Sequence, residues 1–189
     1  MYPWSVWSAA ERRIGIFTSF YWAALTVYAL ATDARHTWVY VPLMVLLIGV
    51  VVAVHDRWPL TTPVLWGLSL WGLAHMAGGL IDVPKPIGTG DILYTVWLWG
   101  GVLRYDQAVH CGGLIVATIA FAHIVEGSRR PLLWALLLGQ TLGVVNEVVE
   151  QIGTLALPTA NVGDAVNTAW DLAWNAFGGV SAVMLLSRR

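Results

Sequence analysis

Charge is what this chain has least of. Only 11% of its 189 residues are charged, against about 25% in soluble domains. Its net charge is -1 and no Lys/Arg cluster stands out, so a nucleic-acid partner is excluded. The single cysteine, Cys111, can close no intramolecular disulfide, and thiol usage is silent on redox compartment. No cleavable signal peptide, soluble-domain tract or internal repeat is evident, so the first span is expected to serve as its own signal. What is present is hydrophobic: 58% of the chain, with Trp 12 times. Indoles collect at membrane–water interfaces, and the composition describes a single integral-membrane domain over residues 1–189.

About 20 helical residues cross a hydrocarbon core of ~30 Å. Six apolar segments approach that length, at residues 14–31, 37–54, 62–81, 105–125, 131–151 and 164–186. Short polar breaks separate most of them, as helix hairpins require. The expected fold is an all-α polytopic membrane helix bundle of about six transmembrane helices. Residues 92–103, ILYTVWLWGGVL, are too few to span and follow the turn-rich DVPKPIGTGD. They are expected to form a short interfacial or re-entrant helix.

Charge counting sets the orientation. With six spans and the N-terminus in the cytoplasm, Arg12, Arg13, Arg57, Arg129, Arg130, Arg188 and Arg189 face inside. Arg35, Lys85 and Arg104 face outside, giving seven against three. Letting residues 92–103 span as well would give four against six. Six spans with both termini cytoplasmic is therefore the expected topology.

Polar residues recur at helical spacing inside these spans. Asp164, Asn167, Asp171 and Asn175 stand 3, 4 and 4 apart, one stripe on one helix face. Gln140, Gly143, Glu147 and Glu150 form a second stripe, with Asn146 and Gln151 nearby, and Asp106 and His110 are an i, i+4 pair. The expected topology puts His75, His110, Glu147, Asp171 and Asn175 within roughly 5–17 Å of the outer boundary. Glycine pairs at 78–79, 112–113 and 178–179 would let the helices approach closely.

Asp106, Glu147, Glu150, Asp164 and Asp171 would together carry five negative charges, with only Arg104 and Lys85 as fixed cations on that side. Charged groups in a bilayer need partners, so either some of these carboxyls hold protons or a cation sits among them. Mixed His and carboxylate ligation suits Zn²⁺ or Mn²⁺, and all-oxygen ligation suits Mg²⁺ or Ca²⁺.

The runs HMAGGL (75–80), RYDQAVHCGG (104–113), NEVVEQ (146–151) and DAVNTAWDLAWNAFGG (164–179) resemble, in that order, the YjdF family of predicted bacterial inner-membrane proteins. The resemblance covers roughly residues 60–180 and implies a multi-pass protein of the bacterial cytoplasmic membrane. More distantly the chain resembles VanZ-like proteins, with Asp106 and His110, Glu147 or Glu150 beside Gln151, and Asp171 with Asn175 in matching order. It departs from them in its span number and in lacking an Arg at 160–163. That likeness implies a role in the cell envelope.

The leading expectation is an enzyme acting on an envelope lipid or lipid-linked substrate at the outer leaflet. A divalent ion would sit on His110, Glu147 and Asp171 with His75 assisting, and would activate water or polarise a phosphoryl or acyl oxygen. Glu150 and Asp106 are the candidate catalytic acid–base groups. Asn175, Asp164, Asn146 and Arg104 are the candidate substrate-binding residues, though Arg104 could instead pair with Asp106. Two other readings stay open: a proton-coupled transporter using the carboxylates as a relay, and a non-catalytic assembly protein whose cluster is helix-packing glue.

Overall fold

A computed structural model describes residues 7–34, 36–84, 92–156 and 165–188. Helix makes up 80% of what is described. The six helices are α1 (Ala9–Ala31), α2 (Thr37–Arg57), α3 (Thr62–Leu80), α4 (Tyr105–Ile124), α5 (Pro131–Ala156) and α6 (Ala165–Leu186). Most of their ends fall within a few residues of the polar and Pro/Gly breaks in the sequence. At the start of α1 a capping box pulls the boundary forward: Glu11 N donates 3.2 Å to Ser8 Oγ, and Ser8 N donates 2.6 Å to Glu11 Oε2. The polar turn Glu11–Arg13, expected ahead of the helix, therefore lies within it.

Helices α1, α2, α4 and α5 (to Ile152) are long and apolar enough to cross a membrane. Helices α3 and α6, at 19 and 22 residues, have comparable length but lower mean hydropathy. Glycine, tryptophan and the polar stripe of α6 account for the difference.

The chain divides into two compact units after Tyr105. In the first, α1, α2 and α3 pack around Tyr21, Ala29, Met44, Met76 and Leu80. A Cβ at Gly78 or Gly79 would strike the rings of Tyr94 and Tyr40, so two consecutive positions without side chains let both aromatics lie on α3. In the second unit α4, α5 and α6 turn their polar stripes inward. The opposite face of α5 presents Val144, Val145, Val148, Val149 and Ile152, each 50–59% exposed. An aliphatic strip this long would be a liability in water and is ordinary against lipid tails.

Residues 92–103 correct the expected interfacial or re-entrant helix. A 3₁₀ turn at Leu93–Thr95 leads into an antiparallel hairpin of β1 (Trp97–Trp99) and β2 (Leu103–Arg104). Gly100 and Gly101 have φ of +39° and +77°, and Val102 N donates 2.8 Å to Trp99 O across them. Two left-handed central residues are what a type I′ turn needs, and adjacent glycines supply both while weakening any helix. The Arg104 guanidinium lies 4.8 Å over the Trp97 ring, and an isolated bridge pairs Ile92 with Asp82 beyond α3.

Candidate functional site

The sequence spacing decides which faces of α4, α5 and α6 meet. Asp106 and His110 fall in the first two turns of α4. Asn167 and Asp171 fall in the first two turns of α6, and Glu147 and Glu150 lie toward the C-terminal end of α5. Because α5 runs opposite to its neighbours in sequence order, all three helices deliver their acids to the same end of the unit.

His110 is the centre of that end. It is 8% exposed, with Nε2 3.4 Å from Asp106 Oδ1 and 3.8 Å from Glu150 Oε1. Its other nitrogen, Nδ1, is 3.2 Å from Glu147 Oε1. That approach lies outside hydrogen-bond geometry, so Glu147 Oε1 is buried with no hydrogen-bond partner. Asp171 is fully buried, and its Oδ1 likewise has no hydrogen-bond partner. A buried carboxylate oxygen without a donor is costly, and in native proteins it marks a proton, a water or an ion.

Two amides hold the carboxylates from behind. Asn167 Nδ2 donates 2.5 Å to Asp171 Oδ2 and 3.2 Å to Asp106 Oδ2, tying α6 to α4 through one side chain. Asn146 Nδ2 donates 2.6 Å to Glu150 Oε1. Two sets of possible ligands result: Asp106, His110 and Asp171, and His110, Glu147 and Glu150. Within each set one ligand atom per residue lies within 4.8 Å of the others. Ligands on one ion with bonds of about 2.0–2.2 Å stand no more than about 4.4 Å apart, so side-chain shifts of a few tenths of an ångström would close either set.

Beyond the cluster the helices close on one another. Asn175, 1% exposed, has neither side-chain polar atom hydrogen-bonded and packs on Gly143, where a Cβ would come within 3.0 Å of its Nδ2. Gln140 Nε2 donates 3.3 Å to the Asn175 carbonyl. A Cβ at Gly178 would collide with the backbone carbonyl of Cys111.

This chain belongs to the family described as "Predicted membrane protein (DUF2238)", whose model matches residues 14–189. No curated protein and no solved structure matches it. The match takes in α4, α5 and α6 whole, so the cluster lies inside the DUF2238 region.

Two other residues singled out in this DUF2238 chain belong to the first unit. His75 belongs to the first unit, stacked on Trp71 at 5.2 Å, with Nδ1 2.6 Å from the Tyr94 hydroxyl. Arg104 also belongs there, over Trp97. Asp164 lies outside the described residues. Asn167 belongs to the α6 stripe, but its double grip on Asp106 and Asp171 has no sequence signal beyond its i, i+4 spacing to Asp171.

Proposed function

We propose that this is a YjdF-type, multi-pass protein of the bacterial cytoplasmic membrane, with six spans and both termini cytoplasmic. Its three-helix unit is a metal-dependent centre acting on an envelope lipid or lipid-linked substrate. The positive-inside count supports a carboxylate end of α4, α5 and α6 at the outer leaflet. One observation carries the metal reading: four carboxylates surround a single buried imidazole, and the buried oxygens Glu147 Oε1 and Asp171 Oδ1 have no hydrogen-bond donor.

Burial divides the roles. His110, Glu147 and Asp171 are buried and would hold divalent metal, each of the two ligand sets that share His110 containing one of the buried acids. The ion would polarise a phosphoryl or acyl oxygen or lower the pKa of a bound water. Glu150 and Asp106, with side chains 23% and 17% exposed, would complete those sets from the more exposed side, where they would also exchange a substrate's protons. Asn146 holds Glu150 in the same site, while Asn175 packs on Gly143 one turn further along α6. His75, engaged by Tyr94, is left out of the ligand set.

The close helix contacts at Gly143 and Gly178 favour this reading over a proton-coupled carrier. Alternating access needs a polar route through the far half of the bundle, whereas here the backbones touch beyond the cluster. A packing-glue role predicts a different response to mutation. In that case Glu147→Gln or Asp171→Asn would lower thermal stability without removing any bound ion.

Metal analysis of the detergent-purified protein tests the proposal. We expect a stoichiometric divalent ion, reduced at least tenfold in His110→Ala, with a chelator lowering the melting temperature of wild type. Metal-free protein whose structure and melting are indifferent to chelator would overturn it.

A further inference from the structure

Four carboxylates are more than one divalent ion can neutralise. Asp106, Glu147, Glu150 and Asp171 carry a formal charge of -4 around His110 when ionised, and one divalent ion leaves -2 among the helices. Residual charge of that size is expensive away from water. The side chains are already sorted in pairs. Asn167 grips Asp106 and Asp171 together, while Asn146 grips Glu150 on the helix that carries Glu147. Each pair forms a separate candidate ligand set with His110. Each set also contains a nine-tenths-buried carboxylate with an oxygen lacking a hydrogen-bond donor, Asp171 in one and Glu147 in the other.

We propose that the centre binds two divalent cations that differ in ligand type. This rests on the metal reading above. The imidazole tells the two apart. A neutral histidine has one lone pair, and a ligating histidine characteristically donates its other N–H to a carboxylate. With Nε2 facing Asp106 and Nδ1 facing Glu147, ligation through Nε2 gives the first ion Asp106, His110 and Asp171. Glu147 Oε1, outside hydrogen-bond geometry from Nδ1, stays open to the second ion. The second ion has Glu147 and Glu150, an all-oxygen set. Nitrogen with carboxylate suits Zn²⁺ or Mn²⁺, and oxygen alone suits Mg²⁺ or Mn²⁺. Two cations bring the formal charge to zero and provide one ion for each side of a displacement at phosphorus or an acyl carbon.

Mn²⁺ fits both sets and is the probe. Purified full-length protein is stripped with chelator, titrated with Mn²⁺, desalted and measured for manganese per chain. Two per chain are expected, with the six-line paramagnetic signal of isolated Mn²⁺ attenuated by coupling between neighbouring ions. Glu150→Gln is expected to retain one ion and to restore the isolated signal. Asp171→Asn is expected to retain the other, with weaker preference for Zn²⁺ over Mg²⁺. One ion per chain in wild type, with an isolated signal, would overturn the two-ion inference and leave the metal reading standing. No retained manganese and no retained zinc would overturn both. The wild-type measurement decides the matter even if a variant fails to fold.

Discussion

At the scale of single residues, the proposed centre would depend on side chains outside its ligand sets. Asn167 holds two carboxylates of like charge 3.2 and 2.5 Å from one nitrogen. Replacing it by leucine removes that donor and leaves the two acids to repel one another. We expect Asn167→Leu to cut metal affinity by about 10–100-fold, read by competition with a chelating dye. Helical content by circular dichroism should be unchanged; a loss of helix with no change in affinity would reassign Asn167 to folding. The acids were legible in the sequence because Asp106 with His110 and Glu147 with Glu150 sit at i, i+4 and i, i+3, which fixes the face each pair shares. Asn167 was not, since spacing gives the face of a helix but not which neighbouring helix a short amide reaches.

At the scale of the elements, helices were easier to read than the segment between them. Pro63 and Pro131 near helix starts, and glycines and charges between apolar runs, mark helix boundaries that depend on local chemistry. The hairpin is hidden in the sequence because a twelve-residue apolar run fits a short helix and a strand pair equally well by length. The decisive signal was Gly100–Gly101, the two-residue pair that a type I′ turn requires. Close packing gives a second element-level prediction. Gly178→Val places a side chain against the Cys111 carbonyl on α4, and we expect about 1–3 kcal/mol of destabilisation, seen as a lower melting temperature. Gly112→Ala, with nothing within 4 Å of the added carbon, should melt as wild type does. Equal losses in both would mean that the α4–α6 contact does not set stability.

For the whole molecule, the proposed topology assigns every connection a side of the membrane. In a Cys111→Ala background, Thr32→Cys lies between α1 and α2, and Ser128→Cys lies between α4 and α5. An impermeant thiol reagent applied to intact cells should label Thr32→Cys at once and Ser128→Cys only after permeabilisation. The reverse pattern would invert the orientation and put the carboxylate end at the inner leaflet. The order of the helices also has a consequence in time. Asp171 follows His110 by 61 residues (171 minus 110). At roughly 5–20 residues per second, α4 waits about 3–12 s during synthesis before the last carboxylate reaches it. Until then Asp106 and His110 have neither Asn167 nor Asp171 beside them. In the two-ion reading, loading of the Asp106–His110–Asp171 set would therefore wait for α6, and a nascent chain interrupted before it would display those acids uncompensated to the insertion machinery.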